Sequence, residues 1–146
     1  MPSEYVKKRK FPKKETAFIK EFIDEFKKLS GDKIWSFKTH GEPMQARGIP
    51  DVLMCYCGLF VGIEFKIMRG GSLSISPYQE YQIELINKSS GLGLVVWYDE
   101  NNQECGVNMK RFENKKVCAK FLYDLLQKYT EIPPCKYTEI RENDKK

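Results

Sequence analysis

The segment Gly48-Ile49-Pro50-Asp51-Val52-Leu53-Met54-Cys55-Tyr56-Cys57-Gly58-Leu59-Phe60-Val61-Gly62-Ile63-Glu64-Phe65-Lys66-Ile67 decides the fold. Two apolar runs flank Cys57-Gly58, which predicts a hairpin with strands over 51–56 and 59–67 joined by a tight turn. If the turn takes two residues, Tyr56 pairs with Leu59, and counting outward sets Asp51 opposite Glu64 on one face of the sheet. Directly opposed side chains have Cβ atoms about 4.5–5.5 Å apart. Lys66, two residues further on, shares that face, whereas Phe65 points the other way, into the core. Opposed carboxylates repel, and the strands around them are apolar on both faces, as in a sheet covered by helices. A divalent cation between the acids offsets the repulsion, and a carboxylate pair with open positions suits Mg²⁺ or Mn²⁺. From the residues alone, an ordinary exposed E-x-K pair on an edge strand competes with this reading, and a bulge would shift the register by one.

Outward from the hairpin, Phe18, Ile19, Phe22, Ile23, Phe26 and Leu29 recur at helical steps and predict a helix over 14–29, stopped by Gly31. A strand over 34–38 leads into a loop over 39–50 that carries Gly41, Pro43 and Gly48. After a Gly/Ser-rich loop over 68–75, Ser76 caps a helix over 77–88 with Pro77 at its first position. Ser76-x-x-Gln79 has the form of a capping box, with Gln79 reaching back to the cap. An apolar strand follows over 92–98, then a short strand near Val107. A last helix over 114–128 has Val117, Phe121, Leu122 and Leu125 as its expected apolar face, either completing the core or making a dimer face. The expected organisation is a basic arm over 1–13, one domain over 14–129 and a polar tail over 130–146 opened by Pro133-Pro134. The class is α/β, a mixed sheet flanked by helices, with an extra C-terminal helix.

Gly48-Ile49-Pro50-Asp51, the hairpin, Ile63-Glu64-Phe65-Lys66, the Gly/Ser loop, Ser76-Pro77-Tyr78-Gln79 and Leu92-Gly93-Leu94-Val95-Val96-Trp97 together resemble the PD-(D/E)XK nucleases. The resemblance is to the VRR-NUC branch and similar phage-encoded endonucleases in particular, and it covers roughly residues 15–98. It implies a restriction-endonuclease-like αβββαβ core and Mg²⁺- or Mn²⁺-dependent hydrolysis of DNA phosphodiester bonds. It implies that Asp51 and Glu64 ligate the metal with the Phe65 carbonyl, and that Lys66 offsets charge at the scissile phosphate. Glu15 is the matching acid of the first helix, with a bland alternative as a first-turn acid favoured by the helix dipole. Gln79 is expected near the metal or the phosphate. The branch implies branched DNA such as a Holliday junction as substrate, and a homodimer with two sites. Linear, flapped or single-stranded DNA is the alternative, as is a catalytically silent DNA- or partner-binding module on the same fold.

Lys38, His40 and Arg47, in or beside the loop before Asp51, and Ser76 at the helix head are candidate contacts to DNA phosphates. The chain carries 25 Lys and Arg against 20 Asp and Glu, a net charge of +5 that suits a polyanion. No stretch reaches the roughly 18 apolar residues of a membrane span, and the basic N-terminus lacks the apolar run of a secretory signal. Cys55, Cys57, Cys105, Cys118 and Cys135 are an odd, scattered set, expected as free thiols in a reducing compartment, the cytoplasm of a bacterial or phage-infected cell. Cys55 and Cys57 lack zinc-knuckle spacing and His40 is the only histidine, so both cysteines are expected as small buried strand residues.

Overall fold

A computed structural model describes residues 15–39 and 46–130. The basic arm, His40, Gly41, Pro43, Cys135 and the tail beyond Thr130 lie outside the described residues. The element order is α1 Glu15–Ser30, β1 Ile34–Lys38, β2 Val52–Tyr56, β3 Leu59–Met68, α2 Pro77–Lys88, β4 Leu92–Asp99, β5 Glu104–Val107, β6 Lys110–Phe112 and α3 Lys115–Tyr129. A short 3-10 turn over Gly31–Lys33 links α1 to β1. The αβββαβ order expected from the sequence runs from α1 to β4, followed by two strands and a helix.

The strands form one six-stranded sheet in chain order. Among the described residues only β3 and β4 are parallel; every other neighbouring pair is antiparallel. A parallel pair needs a crossover, and α2 supplies it. At the hairpin, Tyr56 pairs with Leu59 and Val52 with Ile63, the register of a two-residue turn. Cys57 and Gly58 both have positive φ, 47° and 86°. Two left-handed residues match the twist of a two-residue hairpin, and Gly58 adopts that region without a Cβ penalty. Cys57 is therefore exposed in the turn and Cys55 only half-buried, a correction to the expectation that both are buried in a strand.

Strand alternation gives the sheet two unlike faces. Val52, Met54, Tyr56, Val61, Ile63, Phe65, Leu94, Val96 and Tyr98 pack with Phe18, Phe22 and Phe26 of α1 and with Cys118, Ala119, Leu122 and Leu126 of α3 in the main core. Phe65 meets Phe18 and Phe22 edge-on, at 5.8 and 5.5 Å between ring centres. The last helix thus completes the core. On the other face a smaller cluster of Met68, Val95 and Trp97 meets Leu73, Ile75 and Ile83. There α2 lies over β3 and β4, and none of its side chains is fully buried.

Three details differ from the sequence reading. Leu29 is exposed, and Ser30 takes the buried place four residues after Phe26, its hydroxyl donating to the Phe26 carbonyl at 3.1 Å. Val117 is exposed, because α3 turns Cys118, Ala119, Leu122 and Leu126 towards α1, with Phe121 and Leu125 at the margins. The polar segment over Lys110–Phe112 forms a sixth strand, too short for its alternation to be read.

Candidate active site

The candidate side chains gather where β2 begins and the middle of β3 passes under the head of α2. Asp51 sits one residue before β2. Thr39 ties it down from the end of β1: its N–H donates to the Asp51 carbonyl at 2.8 Å, and its hydroxyl to the Pro50 carbonyl at 2.9 Å. On the other side Gly48, with φ of 81°, lies so close to α2 that a Cβ would stand 2.2 Å from the Tyr78 carbonyl oxygen. No side chain fits there, so this glycine lets the loop seat on the helix head.

The Asp51 carboxylate accepts the Phe65 N–H at 2.9 Å through Oδ2. In an extended strand the N–H and C=O of one residue face the same edge, so the Phe65 carbonyl also faces the side on which Asp51 lies. Glu64, on the opposite face from Phe65, is 2% exposed. Its Oε1 accepts from Gln79 Nε2 at 2.7 Å and has Lys66 Nζ at 3.6 Å. Its Oε2 is buried with no hydrogen-bond partner among the described residues. A buried carboxylate oxygen without a partner is costly and asks for a proton or a cation.

The electrostatics point the same way. The Glu64 carboxyl is pushed up to about 8, first by burial and then by the adjacent Asp51 charge, against the opposing pull of Lys66. The nearby charge of Glu15 adds to the rise. Glu15, the first residue of α1, is itself raised by burial and by Asp51, with Lys66 and Lys38 opposing. The fold therefore brings Asp51, Glu64, Lys66 and Glu15 into one electrostatic group, with Lys38 at its margin.

Gln79 is held at both ends. Its N–H donates to Ser76 Oγ at 3.2 Å, and its Oε1 accepts the Ser76 N–H at 3.0 Å. This is the capping box read from the sequence. The same amide reaches Glu64 with its nitrogen, so the box fixes the head of α2 and one carboxylate oxygen together. Ser76 spends its hydroxyl on the cap, yet remains on the cleft wall. The cleft has a volume of about 410 Å³ and is lined by Asp51, Glu64, Ser76, Gln79, Arg47 and Tyr78, among others. Arg47 lies over the Tyr78 ring, 5.3 Å from its centre, and donates to the Tyr78 hydroxyl at 3.5 Å.

Thr39 and Tyr78 are the members that sequence reasoning passed over. A threonine ending a short strand carries no signal of its own. A tyrosine in the first turn of a helix finds its arginine only once the loop is seated.

Among the described residues no three His, Cys, Asp or Glu side chains form a metal cage by themselves. What the site offers instead is two acids, the orphaned Glu64 oxygen and a nearby strand carbonyl. That donor set is all oxygen and leaves positions open, which fits a hard cation such as Mg²⁺.

No protein-family model matches the chain. The chain is similar to the Holliday junction resolvase RecU of Mycoplasmopsis pulmonis (strain UAB CTIP), with 30% identity over 70 residues. That match covers 46% of this chain and 45% of the relative, so less than half the length of the curated relative is spanned. Among solved structures, Hjc of Archaeoglobus fulgidus, a Holliday junction resolvase from an archaeal hyperthermophile, matches with a TM-score of 0.49 and 12% identity over 75% of this chain and 98% of that chain. Among the described residues no helix is long and apolar enough to cross a membrane.

Proposed function

We propose that the protein is a metal-dependent endodeoxyribonuclease of the PD-(D/E)XK type, in its VRR-NUC branch, acting on branched DNA. One observation carries the reading: Glu64 is buried beside Asp51 with an oxygen that no hydrogen bond satisfies among the described residues, and Lys66 stands 3.6 Å from its other oxygen. A scaffold has no use for that arrangement, whereas a hydrolytic site does. The similarity to a Holliday junction resolvase over part of the chain supports the same reading and supplies the substrate class.

Asp51 and Glu64 would hold Mg²⁺ or Mn²⁺ together with the Phe65 carbonyl. The cation, when bound, supplies Lewis acidity towards a phosphoryl oxygen and makes a water acidic enough to attack. Phe65 N–H fixes Asp51, and Gln79 fixes Glu64, so neither acid needs to reorganise when the cation enters. The Lys66 ammonium places positive charge where the phosphorane develops negative charge. Glu15 is placed to accept a proton at the margin of the group. Arg47, held over Tyr78 at the cleft mouth, takes a flanking phosphate, with Ser76 on the same wall, whereas Lys38 lies on the α1 side of the sheet and would meet the DNA backbone only there. A four-way junction presents two equivalent phosphates, which a two-fold dimer would meet with two copies of the site. The setting that goes with this activity is the cytoplasm of a bacterial or phage-infected cell.

The test is incubation with labelled four-way, flapped and linear DNA in Mg²⁺, Mn²⁺ or EDTA. Cleavage of the four-way DNA that EDTA abolishes is the expected result. DNA binding that is indifferent to chelator, with no cleavage of any substrate, would replace the nuclease with a silent binding module.

A further inference from the structure

The exposed edge of the sheet carries two aromatic rings that the described residues leave uncovered. Among the described residues, on the face that bears Asp51 and Glu64, α2 covers β3 and β4 and leaves β1 and β2 largely bare. Trp35 and Phe37 of β1 point out of this face, 59% and 50% exposed. Their cross-strand neighbours are Cys55 and Leu53, with Phe60 beyond Cys55. Full burial of one such ring would contribute about 1.5–3 kcal/mol, so two left in solvent side by side mark a surface that meets something.

The arrangement selects the partner. The two rings are nearly parallel, at 6° between planes and 6.3 Å between centres. Parallel, open aromatic faces are what nucleobases stack on, whatever their sequence. A base inside a duplex has both faces covered by its neighbours, so only an unpaired base can use them. Leu53, beside Phe37, is two residues from Asp51, and strand geometry then puts Phe37 at about 8 Å and Trp35 at about 14 Å from Asp51. The charge agrees: Lys33 precedes β1, Arg47 stands at the cleft mouth, and Leu53, Cys55 and Phe60 are neutral, while Lys38 ends β1 on the α1 side. Lysines flanking an edge strand also discourage its pairing with a second copy.

We infer that Trp35 and Phe37 form a stacking platform for unpaired bases of the strand that enters the cleft, a role that rests on the nuclease reading for the strand's destination. The substrate class narrows accordingly, to DNA with a single-stranded segment next to the cut, such as a flap or an opened junction centre.

The two tryptophans make the test direct, because Trp97 is 3% exposed and Trp35 is not. The full chain is titrated with single-stranded oligothymidylate in EDTA while tryptophan emission is read. Quenching and iodide protection of Trp35 are expected. Trp35→Ala with Phe37→Ala should weaken single-strand binding at least about tenfold and leave duplex affinity within about twofold. Trp35→Phe should lose the optical signal and keep the affinity. Equal losses on single strand and duplex, or no change in Trp35 emission, would overturn the platform. So would Trp35 emission that is already iodide-shielded without DNA, whether sedimentation then shows a dimer or a monomer covering its own face. The cleavage assay keeps the two readings apart. Quenching without metal-dependent cutting leaves the platform and removes the nuclease, and cutting without quenching does the reverse.

Discussion

Glu64 on β3 and Asp99 at the end of β4 are both buried acids of the same sheet, each with a side chain 3% exposed, and their surroundings are opposite. Asp99 accepts the Asn101 N–H at 3.0 Å, the Asn102 N–H at 3.3 Å, Asn102 Nδ2 at 3.0 Å and Arg111 Nη1 at 2.9 Å. Burial alone would raise it, yet the Arg111 guanidinium and the turn amides hold it below the usual carboxylate range. Arg111 in turn lies on the Trp97 ring and bonds Glu104. Among the described residues Glu64 has one good donor, Gln79, a lysine at ion-pair distance, a second acid beside it, and an oxygen with no partner. Equal burial therefore carries no functional meaning by itself. The count of donors separates an acid that staples a turn from one left short of partners, which is the mark of a candidate site.

The largest expected effect exploits this contrast. Asp51→Asn or Glu64→Gln should lower Mg²⁺-dependent cleavage by at least about a thousandfold, about 4 kcal/mol of barrier, while the melting temperature of the metal-free protein holds or rises. An active Asp51→Asn enzyme would point to another ligand set. Asp99→Ala should do the reverse. Leaving the Asn101 and Asn102 amides unpaired costs about 2 kcal/mol of stability, read by denaturant unfolding, with the cleavage rate of the folded fraction unchanged. If activity fell in proportion, Asp99 would belong to the site after all. Lys66→Ala comes next: folding and metal binding preserved, and cleavage reduced at least about tenfold, or roughly 1.4 kcal/mol. Unchanged rates would take Lys66 out of the mechanism.

The smallest effect per step is a pH slope with opposite signs at the two acids. Glu64 has a folded pKa above its unfolded one, so the folded state keeps a proton that the unfolded state releases. Metal-free stability should fall as pH rises from 4.5 to about 8, with a slope below about 1.4 kcal/mol per pH unit. Glu64→Gln should flatten that slope. Asp99 has a lowered folded pKa, so its contribution is present above the usual aspartate range and is lost as pH falls through the folded value. Thermal melts across pH 3 to 9, about the span of both transitions, would separate the two, and a Glu64→Gln protein that kept the neutral-range slope would contradict the assignment.

Much of the frame was legible because local rules and the tertiary fold agree. The turn at Cys57-Gly58 fixed the register, and with it the placing of Asp51 across from Glu64 and of Phe65 in the core. The Ser76 and Gln79 pair announced a helix start that the structure contains. Legibility failed where a residue's fate depends on a distant segment. Leu29 fits the stripe of α1 but lies at its end, where the chain turns away. Val117 is as apolar as Leu122, yet only the angle at which α3 meets α1 decides which of them is buried. Asp99 in sequence is one more acid before a polar turn, and nothing local shows that Arg111 will reach it.

The sequence by itself determined the hairpin, the order of the helices and of every described strand but the sixth, and which side chains share a face, because those follow from chirality, strand period and turn geometry along the chain. Only the tertiary structure decided that Gln79 spans from its own cap to Glu64, that Thr39 and Gly48 hold Asp51 in place, and that α2 stops short of Trp35 and Phe37. Such facts depend on where whole elements come to rest against one another, and packing of that kind is settled by the sum of all contacts and by no single stretch of residues.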